Sequence, residues 1–125
     1  MVLDRDCVRD LLLTIESDAF NNTLFLETIC ENPSMVLYSK ETITYAIQKL
    51  KEANYINASI LFADNTPYLV SVSSLTWEGH IFLDNVRDPS IWEKVKSKSS
   101  KLTSVSLPLL SELGLSFVKE QLGLS

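Results

Sequence analysis

The chain has 125 residues, 46% of them apolar and 22% charged, which excludes wholesale disorder and gives length for one core but not two. Its net charge is −5, with a pI near 4.8, an adverse balance for a protein that lives on phosphate contacts. No run reaches the roughly 18 to 20 apolar residues of a membrane span, and Met1-Val2-Leu3-Asp4-Arg5-Asp6 lacks the basic and apolar regions of a secretory signal.

Charge is unevenly spread. Residues 1–31 hold seven carboxylates against Arg5 and Arg9, whereas residues 87–101 hold five cations against Asp88 and Glu93. Cys7 and Cys30 form no CxxC pair and have no histidine at ligand spacing, so two reduced thiols in a cytoplasmic protein are expected.

Asp4 reads as the N-cap of a first helix with Val8, Leu11, Leu12 and Ile15 on one face. That helix ends near Asp18, and Asn21-Asn22 turns the chain. Thr23 to Glu27 reads as a brief strand, and Asn32-Pro33-Ser34 marks a loop. Ser39 caps a second helix lined by Ile43, Ile47 and Leu50, with Ala46 and Ala53 as small packing neighbours. Asn54 suits the left-handed position at its end.

Ile56, Ala58, Ile60 and Phe62 then alternate with mostly polar residues, Asp64-Asn65-Thr66-Pro67 supplies a turn, and Val70 and Val72 continue the alternation through Tyr68 to Ser74. Thr76 caps a third helix offering Trp77, Ile81, Phe82 and Val86 to the core, and Gly79 inside it marks a close approach. Asp88-Pro89 opens a fourth helix burying Ile91, Trp92 and Val95. Lys96 to Lys101, with three serines, reads as a frayed end or linker. Ser106 caps a last helix carrying Leu109, Leu110, Leu113, Phe117, Val118 and Leu122 and ending at Gly123. That helix is apolar over more than one face, so a homodimer through Leu109, Leu113, Phe117 and Leu122 is expected.

A capped helix, a hairpin and a second capped helix make an α+β pattern, that of a winged helix-turn-helix-like domain over residues 1–88 with extra C-terminal helices over 89–125. Ile43 to Ile56 resembles the recognition helix and first wing strand of bacterial winged-helix repressors, and Leu75-Thr76-Trp77-Glu78-Gly79-His80-Ile81-Phe82-Leu83 resembles the helix opening after their wing. Nearly the whole chain resembles a family of small bacterial and phage proteins catalogued as a domain of unknown function. The matching segments are Leu3 to Glu16, with Leu3-Asp4-Arg5-Asp6-Cys7-Val8-Arg9-Asp10, then Leu75 to Asp88, and Trp92-Glu93-Lys94-Val95-Lys96. The resemblance implies a phage or prophage setting and a winged-helix-like fold, and no particular activity.

If the second helix reads double-stranded DNA, its candidates are Lys40, Thr44, Tyr45, Gln48, Lys49 and Lys51, with Gln48 suited to adenine and the lysines to phosphates. The bland alternative is an ordinary solvated face. Lys94, Lys96, Lys98 and Lys101 form a secondary basic patch, for which a solvated helix end is the competing account. Two departures weaken the DNA reading. The segment before Ser39 reads as loop or strand where a support helix is needed, and the wing turn has no cation. An acidic protein-interaction module binding a host protein is therefore the second expectation. No catalytic residue, metal or cofactor is assigned. His80 lacks a nucleophile at useful spacing, Asp4, Asp6 and Asp10 alternate with Arg5 and Arg9 as in a solvated salt-bridged turn, and no Gly-rich phosphate loop is present.

Overall fold

The computed structural model describes residues 1–18 and 23–124; the turn expected at Asn21-Asn22 lies outside them. Among the described residues the fold is α+β, with six helices and a three-stranded antiparallel sheet. The chain divides into two compact units, Met1–Gly79 and His80–Ser125.

The first unit runs α1 (Arg5–Asp18), β1 (Leu24–Phe25), α2 (Leu26–Glu31), α3 (Lys40–Glu52), β2 (Ile56–Ala63) and β3 (Thr66–Leu75). Asp4 caps α1 by accepting the Cys7 N–H at 2.9 Å. Ser39 caps α3 by accepting the Thr42 N–H at 3.1 Å. Each cap contributes about 1 kcal/mol, while each fully buried Leu or Ile contributes about 1.5–3 kcal/mol. The apolar faces therefore decide where these helices sit. Val8, Leu11, Leu12 and Ile15 from α1 and Ile43, Ala46, Ile47 and Leu50 from α3 are buried, and the two helices pack on each other and on the sheet. Ala53, expected beside them, is exposed beyond the last turn. Asn54 follows at φ 63°, and the Tyr55 N–H bonds back to the Leu50 carbonyl at 2.8 Å, closing the helix in a Schellman turn.

α2 corrects the expected strand over Thr23 to Glu27, which stops after Phe25. No side chain caps this six-residue helix, too short to persist alone. Burial of Leu26 and Ile29, three residues apart, holds it in place. Between α2 and α3, the Asn32 side-chain oxygen accepts the Ser34 N–H at 3.0 Å, and Met35 is fully buried beneath the loop.

The sheet order is β1-β3-β2. Asp64 and Asn65, at φ 52° and 64°, form a two-residue turn with both residues left-handed, matching the natural twist of a hairpin. The turn is shorter than expected, and Thr66 and Pro67 already belong to β3, paired with Ala63 and Phe62. Phe62 is 55% exposed, so the alternation that would bury it fails near the tip.

α4 (Trp77–Val86) spans the division between the units. Thr76 caps it by accepting the Gly79 N–H at 3.1 Å. Gly79, Phe82, Leu83 and Val86 are buried while Trp77, at 75% exposure, Ile81 and His80 face solvent. This corrects the core roles expected for Trp77 and Ile81. The buried set repeats at i, i+3, i+4, i+7 from Gly79, so the glycine contact sets the phase of the helix.

In the second unit, α5 (Pro89–Ser99) and α6 (Leu107–Gln121) pack together. Asp88 accepts the Ser90 and Ile91 N–H groups, and Ile91, Trp92 and Val95 are buried as expected. α5 continues to Ser99 rather than fraying at Lys96, because the buried Ser99 hydroxyl donates to the Val95 carbonyl at 2.9 Å. α6 buries Leu107, Leu110 and Gly114. A Cβ on Gly114 would stand 2.1 Å from the Asn85 carbonyl oxygen, so only glycine allows this approach.

Candidate nucleic-acid interface

α3 turns its buried residues inward and leaves all six candidate residues at least partly accessible. At about 100° per residue, Lys40, Thr44, Gln48 and Lys51 fall in one sector, with Tyr45 and Lys49 farther round. Their chemistry is unequal. The Thr44 hydroxyl donates to the Lys40 carbonyl at 2.7 Å, so it is committed within the helix. Lys49 meets Glu52 at 3.1 Å and lies 5.5 Å from the centre of the Tyr45 ring. The hydrogen bond to Glu52 raises the Lys49 pKa, which keeps it cationic. Lys40 and Lys51 carry no ion pair among the described residues. Gln48 is half-buried.

The hairpin following α3 has a different character. From Ile56 to Leu75 its only charge is Asp64, and Leu61, Phe62, Tyr68 and Leu69 are exposed around the tip.

The N-terminal carboxylates are engaged in the fold. Asp4 caps α1, and Asp10 accepts the Tyr38 hydroxyl at 2.7 Å and lies 3.8 Å from Arg9. Arg9 has only 13% of its side chain exposed, so the turn is less solvated than expected. Burial, with the bond to Asp10, pushes the Tyr38 pKa up. Sequence reasoning missed this tie because the partners stand 28 positions apart. Cys7 and Cys30 are free thiols; burial pushes Cys7 up to about 12 and also raises Cys30. Among the described residues no three His, Cys, Asp or Glu side chains gather as a metal site.

The secondary basic patch divides in two. Lys96 meets Glu93 at 3.2 Å and lies 5.9 Å from the Trp92 ring centre. Lys94, Lys98 and Lys101 instead line a groove of about 730 Å³ together with Glu93, Ser97 and Phe117. On α6, Leu109 is exposed, Leu113 and Phe117 are half-buried, and Leu122 is the exposed C-cap residue.

A family model described as "Hypothetical protein (DUF2513)" matches residues 2–106. An "Uncharacterized protein" of Haemophilus influenzae is 26% identical over 118 residues, covering 94% of this chain and 95% of the relative. No solved structure matches. Among the described residues no helix is long and apolar enough to cross a membrane.

Proposed function

The chain belongs to the DUF2513 family, and from that premise we propose a non-enzymatic winged-helix module that binds double-stranded DNA through α3 in a regulatory role. The observation carrying this reading is the order helix, strand, helix, helix, strand, strand, with β1 added to the far side of β3. In that reading α2 takes the place of the support helix, in a segment before Ser39 expected to be loop or strand. It is short, and eight residues rather than the usual three or four separate it from α3. Gln48 is the base-reading residue, and Lys40 and Lys51 hold phosphates.

A gel-shift series over salt with genomic fragments tests this. Gln48→Ala should relax sequence preference, and replacing Lys40 and Lys51 by Gln should lower the salt slope by about two. An absence of retardation at low salt, or retardation indifferent to these substitutions, overturns the reading.

A second reading, binding of a host protein, is favoured by the hairpin, whose single charge is Asp64 and which exposes Leu61, Phe62, Tyr68 and Leu69. Under it, Phe62→Ser with Tyr68→Ser removes partner capture from the native host while duplex retention is unchanged. Recovery of the bait alone counts against it.

A further inference from the structure

Several cations of this chain are answered by nearby carboxylates: Lys49 by Glu52, Arg87 by Asp84, Lys96 by Glu93. Lys94, Lys98 and Lys101 are not. Among the described residues none of the three has a carboxylate within ion-pair distance. Lys94 and Lys98, four residues apart, stand on one side of α5, and Lys101 follows in the turn beyond Ser99. The groove they line is about 730 Å³, within the size range of small-ligand sites. Its one carboxylate, Glu93, is already held by Lys96 at 3.2 Å. α6 supplies the opposing wall as the Phe117 ring, whose centre lies 6.0 Å from the Lys94 ammonium. The Ser97 hydroxyl also lines it.

Unanswered positive charge in a protein of net charge −5, next to an aromatic ring, selects a ligand that is both polyanionic and flat. A simple dicarboxylate would leave the ring unused, and an uncharged aromatic would leave three ammoniums unanswered. A row of cations beside a stacking ring is the arrangement that holds phosphates and bases together. We propose that the α5–α6 groove binds a phosphorylated nucleoside, with its phosphates along Lys98 and Lys101 and its base against Phe117 beside Lys94. The same chemistry is presented by a free nucleoside triphosphate and by a single strand of nucleic acid. This site lies wholly in the second unit and is independent of the α3 reading.

Calorimetric titration of the full chain at low salt with ATP, inorganic tripolyphosphate and a short oligothymidylate tests the proposal. One equivalent of ATP or oligonucleotide should bind, and tripolyphosphate about tenfold more weakly, because it has no base to stack. The double variant Lys98→Glu, Lys101→Glu alters two exposed side chains, so its circular dichroism should match the parent while binding is lost. Phe117→Leu should weaken ATP about tenfold and leave tripolyphosphate unchanged. ATP tighter than the oligonucleotide assigns a free nucleotide, and the reverse assigns a strand; either supports the site. No binding of ATP or oligonucleotide, binding that survives the charge reversal, or tripolyphosphate equal to ATP overturns it. Loss of duplex retention in α3 variants leaves this titration unchanged, so the two readings fail separately.

Discussion

Replacing Gly79 by Ala should destabilise the protein, although Ala is the better helix former. An added Cβ would stand 2.1 Å from the Tyr55 carbonyl oxygen and 3.0 Å from its carbon. The obstructing atoms are backbone, so no side-chain rotation relieves the clash, and the contact must open by about an ångström. The same carbonyl accepts the Thr76 N–H at 3.0 Å, and the Thr76 hydroxyl donates to the Asn54 carbonyl at 2.6 Å. Opening the contact strains both bonds. Overpacking costs about 1–3 kcal/mol and a weakened hydrogen bond about 1 kcal/mol. The helix gains about 1 kcal/mol from Ala. The net loss is about 2 kcal/mol, or roughly 8 °C in Tm for a domain of this size. Urea and thermal unfolding followed by circular dichroism measure it, with exposed Ser97→Ala as the control in which propensity acts alone. A Gly79→Ala protein as stable as the parent, or more so, would refute the reasoning, because only the propensity gain would then be operating.

Other expectations concern the caps, the hairpin and the thiols. Ser106→Ala removes the acceptor of the Leu109 N–H and should cost about 1 kcal/mol, read from the urea midpoint; an unchanged midpoint would show the cap to be redundant with Pro108. Asn65→Val, at φ 64°, should cost about 1–3 kcal/mol while Asn65→Gly is neutral or stabilising; equal stability of the two variants contradicts the left-handed turn. In a thiol-reagent titration of folded protein Cys30 should react first, with Cys7 reacting only on unfolding, because Cys7 is fully buried. Burial raises the Cys7 pKa to about 12 from an ordinary value of 9.0. The folded form therefore holds the proton that the unfolded form releases, and stability falls as pH rises through that window. Stability that climbs between those values would reverse the assignment.

The caps at Asp4, Ser39, Thr76, Asp88 and Ser106 were legible because each depends on residues within a few positions of itself. The hairpin was legible for the same reason, through Asp64-Asn65. α2 was not, since nothing local favours it and only burial of Leu26 and Ile29 makes it helical. Trp77 misled because side-chain size suggested burial, whereas the helix takes its phase from the smallest residue, Gly79. Counting i, i+3, i+4, i+7 from that glycine would have put Phe82, Leu83 and Val86 inward. The lysines of α5 stood out as a patch, but the ring that turns them into a groove comes from Phe117 on another helix.

Among the described residues β1 meets β3 at Val72 and Ser71 alone. Outward from Val70, β3 pairs with β2 and, among the described residues, with no other strand, so the sheet tapers from three strands at its base to a two-stranded ribbon at its tip. An isolated pair of strands is marginal in water, and the ribbon's side chains are largely exposed. Amide exchange should therefore follow a gradient, slow near Val72 and fast from Leu61 to Leu69, set by local opening rather than global unfolding.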